Sequence, residues 1–104
     1  MCGIAGFVTQ NANKPMRPIV EHMVSTIVHR GPDDSGVWVD KSDGVSLGHR
    51  RLSIVDLSLA GHQPMESVSN RYVMVFNGEI YNHLLLREEL SSAATSDLSV
   101  SHDT

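Results

Sequence analysis

Residues 37–50 read VWVDKSDGVSLGHR, with two short apolar stretches on either side of Asp43-Gly44. An Asp-Gly pair in this setting is a strong signal for a β-hairpin, because glycine readily adopts the positive φ of a tight turn. The stretch predicts one strand over residues 37–39 and a second over residues 45–50.

Three further strands are predicted from short apolar segments. Residues 3–9 mix apolar side chains with Gly3 and Gly6, which indicates a buried strand in close contact with other backbone. Residues 52–55 form another short strand. Residues 71–77 contain five consecutive apolar side chains, a pattern typical of a strand buried on both faces.

Two helices complete the predicted layout. From Pro18 onward, apolar residues recur in steps of four, which indicates an amphipathic helix with proline in its first turn. Residues 29–36 then form a long turn. Asn82 is expected to cap a second, short helix that carries leucines at 84–86 and 90. Residues 91–104 are rich in Ser, Ala and Thr and are expected to be poorly ordered.

The predicted elements define an α+β layered fold in which helices cover a sheet. With 104 residues the chain is at most one ordinary domain. Eight basic and twelve acidic residues give a net charge of −4, which argues against nucleic acid or an anionic membrane as the main partner. No stretch reaches the ~20 apolar residues of a membrane helix, and no signal peptide is recognisable. A cytoplasmic protein is therefore expected.

The cysteine and histidine content limits which disulfides, metal sites and nucleophiles the chain can provide. The single cysteine, Cys2, allows no intramolecular disulfide. The six histidines lack the clustered spacing of a zinc site, so no metal site is expected. Removal of Met1 would leave Cys2 with a free α-amine, and this amine can accept the thiol proton near neutral pH. One residue would then supply nucleophile and base. Taken alone, however, Cys2 is better explained as a small buried apolar residue of the first strand.

Five motifs occur in a fixed order along the chain: MCGIAGF at 1–7, HRGPD at 29–33, GHRRLSIVD at 48–56, QPM at 63–65 and NGEIYN at 77–82. Together they resemble the glutaminase domain of asparagine synthetases, a class II amidotransferase with an N-terminal nucleophile. The resemblance runs from Met1 to about residue 90. It implies a four-layer αββα fold, of which residues 1–104 would form only the N-terminal part. It also implies hydrolysis of glutamine to glutamate and ammonia, with Cys2 as the nucleophile.

The resemblance assigns a carboxylate-binding role to one of two adjacent arginines. Arg51 matches the residue that holds the glutamine α-carboxylate, and a guanidinium fork suits that geometry. Arg50 points to the opposite face of a strand and is interpreted as surface charge. The backbone around Leu52, Ile54 and Val55 would line the glutamine pocket.

The resemblance further assigns the oxyanion hole to Asn77 and Gly78. An Asn-Gly pair also signals a tight turn by itself, and both interpretations can hold together. Glu79 would lie beside the glutamine amino group. Asp103 resembles the aspartate that binds the same amine, although a tail aspartate without a role is about equally consistent. His29 and His49 are expected to be structural, and residues 30–33 to shape the loop around the site through salt-bridge and turn chemistry.

In the resembling family, ammonia passes to a C-terminal synthetase domain that amidates aspartate with ATP. No pyrophosphate-binding loop occurs in this sequence, so ATP and magnesium are expected only for that absent domain, and no cofactor is expected here. The expected partners are glutamine and the synthetase domain, with a homodimer possible. Two alternatives stay open. The chain is an inactive truncated product or partner-binding piece, or it serves a relative that acts on cell-surface sugars.

Overall fold

The computed structural model describes residues 2–11, 13–53 and 61–93. Two helices and two antiparallel sheets occur in this part of the chain, which confirms a small α+β fold. The elements in chain order are β1 (Gly3–Val8), α1 (Met16–Ser25), a 3-10 turn (Val28–Arg30), β2 (Asp34–Asp40), β3 (Val45–Arg51), β4 (Met65–Glu66), β5 (Val73–Met74) and α2 (His83–Ser92).

The main sheet has the antiparallel order β1-β3-β2, so β3 is its central strand. The predicted hairpin is confirmed, and Gly44 takes the positive φ of 71° that its turn requires. The Asp40 carboxylate accepts hydrogen bonds from the backbone and hydroxyl of Ser42 and from the Asp43 N–H. These bonds, the Ser42 hydroxyl foremost, lower the pKa of Asp40.

The turn predicted for residues 29–36 ends earlier than expected. Strand β2 already begins at Asp34, which pairs with Arg51 of β3. The polar stretch at 33–35 resembles a loop in sequence, but its backbone is needed to continue the ladder beside β3. Pairing with a neighbouring strand therefore outweighs the local turn preference.

Helix α1 covers one face of the main sheet. Val20 and Val24 are buried there, and a Cβ added to Gly48 would collide with the Val24 side chain. The helix begins at Met16 rather than at Pro18, which lies within its first turn, and it ends at Ser25. The apolar pattern in steps of four continues along the sequence beyond Ser25, but the helix does not. A 3-10 turn at Val28–Arg30 follows instead.

Two stretches of backbone, around Gln63 and around Phe76, lie on the opposite face of the main sheet. Gly36 and His49 are paired neighbours in the sheet, and side chains at paired positions share a face. A Cβ added to Gly36 would collide with the backbone oxygen of Gln63, and His49 contacts the backbone of Phe76. The order of layers is therefore helix α1, main sheet, and the backbone around Gln63 and Phe76.

The strand predicted over residues 71–77 is wrong in length and in burial. Only Val73–Met74 forms a strand, and Tyr72 and Met74 are exposed. In a two-stranded sheet each strand is paired along one edge only, and its faces stay exposed unless other segments pack on them. Beyond Met74, the backbone of Phe76 bonds to side chains of other segments instead of a neighbouring strand.

The strand predicted over residues 52–55 is not present at Leu52 and Ser53, which follow the end of β3 at Arg51. Ile54 and Val55 lie outside the described residues, as do residues 94–104 with Asp103.

Helix α2 differs from its prediction at both ends. Asn82 does occupy the position before the helix, but its side chain makes no capping hydrogen bond. At the other end the helix continues through Ser92, so the expectation of poor order is wrong for Ser91 and Ser92. No helix in the described part of the chain is long and apolar enough to cross a membrane.

Candidate active site

The end of β3 presents two buried polar side chains on one face. His49 and Arg51 are 1% and 4% exposed, and residues two apart on a strand point the same way. Arg50 points to the opposite face, as predicted. Its interpretation as surface charge is wrong, because the side chain is half-buried and its Nε donates to the Gly31 carbonyl over 2.9 Å.

Cys2 lies beside the residue that follows Arg51. Cys2 directly precedes β1. Because β1 pairs with β3, Cys2 lies next to the end of the central strand. The Leu52 N–H donates to Cys2 Sγ over 3.4 Å, and Sγ lies 4.0 Å from the Leu52 carbonyl oxygen. The thiol is free and half-buried. The structure therefore brings together three predicted site residues: Cys2, Arg51 and Leu52.

The loop at 30–33 holds this corner of the molecule in shape. Arg30 Nε donates to the Cys2 carbonyl over 3.1 Å. Asp33 bonds on both sides of Leu52, since its N–H donates to the Arg51 carbonyl over 3.0 Å and its Oδ2 accepts from the Ser53 N–H over 2.8 Å. The contacts that fix the loop are thus hydrogen bonds that involve backbone groups of the site segment.

Gly31 is required by close approach. A Cβ at this position would lie 2.5 Å from the Arg51 nitrogen, well inside contact distance. The glycine of the second motif therefore lets the loop pack directly on the end of β3. This contact is what brings Arg30 and Asp33 within hydrogen-bonding distance of their partners.

Asn77 and Gly78 follow a firmly held residue. The Phe76 N–H donates to Gln63 Oε1 over 2.6 Å, and the Phe76 carbonyl lies 3.2 Å from His49 Nε2. Gly78 packs against the Phe76 ring, 3.1 Å from where a Cβ would stand, and it lacks the positive φ of a type I′ turn. The alternative of a tight hairpin turn at Asn77-Gly78 is therefore not observed.

The two halves of the predicted site are linked through the sheet. Within the described ranges, no hydrogen bond joins Cys2 to Asn77 or Gly78, and Glu79 is exposed. The connection runs from Cys2 to the end of β3, and from His49 of the same strand to Phe76. Ile54, Val55 and Asp103 cannot be placed, since they fall outside the described residues.

His49 sits in a dense electrostatic environment. Burial lowers its pKa most; the Phe76 carbonyl and the Asp34 carboxylate oppose that shift, and His62 and Arg51 add to it. His62 Nδ1 in turn contacts Asp34 Oδ2 at 2.5 Å. The lowered pKa favours a neutral imidazole at pH 7, in which the proton must be on Nε2 for donation to Phe76.

Among the described residues, no three His, Cys, Asp or Glu side chains are grouped as a metal site needs. The chemistry available at this corner is that of a thiol, a guanidinium and oriented amides. Such a set suits attack on a carbonyl compound that carries a carboxylate.

Comparison with known proteins identifies the family. The chain belongs to the glutamine amidotransferase domain family, which matches residues 1–104. It is 40% identical to asparagine synthetase (glutamine-hydrolyzing) 1 of Bacillus subtilis over 88% of the chain. It is 39% identical to the amidase chyE of Penicillium rubens over 96% of the chain. These findings confirm the resemblance drawn from the five motifs, and the family is one of enzymes.

A third relative, asparagine synthetase (glutamine-hydrolyzing) 3 of Bacillus subtilis, is 40% identical over 86% of the chain. The chain spans only 15% to 17% of the length of these three relatives. No solved structure matches it significantly.

The sequence motifs assign no site role to two residues of this region. They predict a structural role for His49 and include Gln63 only as part of the QPM motif. Strand alternation could have placed His49 on the Arg51 face of β3. The sequence carries no signal that Gln63 accepts from Phe76, because that contact joins two segments of irregular backbone.

Proposed function

We propose that this chain is the glutamine-hydrolysing part of an amidotransferase and that Cys2 is its nucleophile. The observation that carries the proposal is the position of Cys2 Sγ against Leu52, directly after the buried Arg51. A nucleophile and a carboxylate-binding cation on adjoining strand ends can hold the two ends of one amino-acid substrate. Membership of the glutamine amidotransferase family supports glutamine as that substrate.

Removal of Met1 by hydrolysis of the Met1–Cys2 peptide bond precedes the reaction and frees the α-amine of Cys2. This amine accepts the thiol proton while Sγ attacks the side-chain amide carbon of glutamine. The tetrahedral intermediate collapses as the C–N bond breaks, and the leaving nitrogen takes the proton and departs as ammonia. Water then cleaves the thioester, which yields glutamate and restores the thiol.

Oxyanion stabilisation and substrate orientation fall to the other predicted residues. The Asn77 side-chain amide and the Gly78 N–H donate to the oxyanion of the intermediate. Arg51 binds the α-carboxylate, and the backbone around Leu52, Ile54 and Val55 lines the pocket. Glu79 and Asp103 bind the substrate amino group. Hydrogen-bond donors that are fixed before the reaction need no rearrangement during it. The way in which the fold holds Asn77 therefore affects how well the oxyanion is stabilised.

The finer architecture belongs to the same proposal. We take residues 1–104 as the N-terminal part of a four-layer αββα domain. The helix-sheet-segment order of the described residues supports this, since it corresponds to the first layers of such a stack. The exposed leucines of α2 offer an apolar surface to further layers.

The ammonia is proposed to serve a synthetase domain that converts aspartate to asparagine with ATP and magnesium. Two relatives named asparagine synthetase support this acceptor. We assign none of the described residues to ATP or to magnesium. A second candidate is amidation of another acceptor, because relatives named amidase reach 37% and 39% identity.

The test is release of glutamate from glutamine by the complete polypeptide that contains this chain. The wild type should release glutamate, and Cys2→Ala should not, while both proteins give the same circular dichroism spectrum. Adding aspartate and ATP, or alternative acceptors, to the wild type identifies the acceptor. Glutamate release by Cys2→Ala at the wild-type rate would disprove the proposal.

A further inference from the structure

Buried side chains hold the backbone of Phe76 on both sides of its Cα atom. Its N–H donates to Gln63 Oε1 over 2.6 Å, and its carbonyl accepts from His49 Nε2 at 3.2 Å. Gln63 and His49 are 4% and 1% exposed, so water hardly competes for either bond. We call this arrangement the Phe76 clamp.

The clamp determines how the chain enters Asn77. A peptide group is planar, so the Phe76 carbonyl that His49 holds fixes the plane that also contains the Asn77 nitrogen. The bond from Gln63 fixes the preceding peptide plane at the Phe76 nitrogen. With both planes held, neither soft dihedral of Phe76 can change without loss of a buried hydrogen bond. The orientation of the following Asn77-Gly78 segment is thereby restricted.

Both anchors of the clamp rest on the strands that carry the other half of the site. His49 lies on β3, two residues before Arg51 and on the same face. The main chain of Gln63 packs directly on Gly36, which pairs with His49. The same sheet therefore carries Arg51, ends next to Leu52, which contacts Cys2, and holds Phe76 on its surface.

We propose that His49 and Gln63 are positioning residues that set the oxyanion donors Asn77 and Gly78 relative to Cys2. The proposal rests on the proposed function, because it assigns the clamp a purpose in glutamine hydrolysis. His49 and Gln63 act through Phe76 and do not touch the reacting atoms. A displacement of the oxyanion donors weakens an interaction that forms only in the transition state.

If His49 and Gln63 only stabilised the fold, their replacement would have a different effect from that of a positioning residue. A residue that only stabilises the fold lowers the melting temperature when replaced, but the molecules that remain folded turn over at the normal rate. A positioning residue lowers kcat in fully folded protein and leaves KM nearly unchanged, since ground-state binding of glutamine does not depend on the oxyanion donors. The split between kcat and KM separates the two roles.

The experiment uses the complete polypeptide and compares two replacements of His49. His49→Leu removes the donor, whereas the side-chain amide nitrogen of His49→Gln can take the place of Nε2. At a temperature where all variants are folded, His49→Leu should lower kcat for glutamate release about 10- to 100-fold with KM within about 2-fold. His49→Gln should recover kcat to within about 3-fold of the wild type. Gln63→Met should resemble His49→Leu.

Two control variants show whether a negative result concerns the positioning role, the stability of the fold or the proposed function itself. Val20→Ala leaves a cavity under α1, on the other face of the sheet, and should lower stability without changing kcat. Cys2→Ala reports on the proposed function itself. Should His49→Leu leave kcat unchanged, or should His49→Gln be as impaired as His49→Leu, the clamp is not a positioning device although glutamine hydrolysis stands. A wild type that does not hydrolyse glutamine would refute the proposed function and this role together.

Discussion

The backbone N–H of Leu52 points at the sulfur of Cys2 over 3.4 Å. This contact joins the first residues of the chain to the end of the central strand, fifty positions later. It exists because β1 and β3 pair in a register that sets Gly3 opposite Arg50. The proposed nucleophile and the proposed carboxylate-binding residue Arg51 thus owe their proximity to one strand pairing.

The first prediction concerns the two adjacent arginines. Arg51→Lys should raise KM for glutamine far more than Arg50→Lys, because only a guanidinium can make a two-pronged contact with the carboxylate. A partly lost charge-assisted pair costs on the order of 1.5–3 kcal/mol, which corresponds to roughly a ten- to hundredfold rise in KM. Steady-state glutaminase kinetics of the complete polypeptide provide the measurement.

Arg50→Lys is the matched control. Its Nε contact to the Gly31 carbonyl belongs to the opposite face of β3, so its loss should affect stability more than KM. Equal KM values for the two variants would show that the wrong arginine has been assigned to the carboxylate.

The second prediction concerns two glycines on paired strands. Gly36→Ala should lower kcat, because the new methyl group would collide with the backbone of Gln63 and displace one side of the Phe76 clamp. Gly48→Ala is the matched control, since its methyl group would press on Val24 of helix α1 on the other face. Thermal unfolding and glutamate release are measured for both.

We expect both glycine variants to lose stability, typically by about 1–3 kcal/mol for an overpacked site. Only the Gly36→Ala protein should have a lower kcat for glutamate release per folded molecule. If Gly48→Ala lost as much kcat as Gly36→Ala, the two faces of the sheet would not differ in function.

The third prediction concerns the pH dependence of stability. Burial holds the pKa of His49 below its usual 6.5, so the unfolded chain binds more protons than the folded one in the range just below pH 6.5. The contribution of His49 to stability is therefore fully present above pH 6.5. It falls as the pH drops toward the lowered folded-state pKa, by at most about 1.4 kcal/mol per pH unit.

The difference between wild type and His49→Gln isolates this effect from the rest of the chain. Denaturant unfolding from about pH 7.5 to about pH 5 should show a steeper loss of stability for the wild type. Parallel curves for the two proteins below pH 6.5 would contradict the prediction.

The fourth prediction is that these 104 residues by themselves do not form a competent glutaminase. In the described residues, part of the apolar surface of β5, of α2 and of the residues next to them is uncovered. The side chains concerned are Tyr72, Met74, Tyr81, Leu84, Leu85, Leu86 and Leu90. Such surface favours association or partial unfolding unless other chain covers it. We expect poor solubility or a broad thermal transition, and no measurable glutamate release.

The complete polypeptide in the same assay is the control. A cooperative thermal transition of the 104-residue chain together with steady glutamine hydrolysis would show that no further layer is needed.

The central hairpin was predictable from sequence because its signal is local. Asp43-Gly44 fixes the turn, and the short apolar stretches on either side can be recognised without knowledge of the rest of the fold. The helical period from Pro18 likewise predicted α1, apart from its ends. Local sequence motifs identify Cys2 and Arg51 only as candidate site residues. Their connection through Leu52 depends on the pairing of β1 with β3, which the motifs do not show.

The parts that could not be predicted depend on contacts between distant segments. The apolar run at 72–76 resembles a buried strand, but its burial depends on what packs against it, and only Val73–Met74 finds a strand partner. Phe76 is instead held by side chains at positions 49 and 63. Neither the clamp nor the exposure of Met74 follows from the composition of that run.

The central claim is that Cys2, as the first residue of the processed chain, attacks glutamine. A Met1–Cys2 amide nitrogen is not basic, so it cannot accept the thiol proton. We would treat a fully active preparation of the complete polypeptide with an electrophilic glutamine analogue and map the adduct by peptide mass spectrometry. The account predicts a single adduct on Cys2 in a peptide that begins at Cys2, suppressed by excess glutamine. An adduct on another residue, or full activity with Met1 retained, would contradict it.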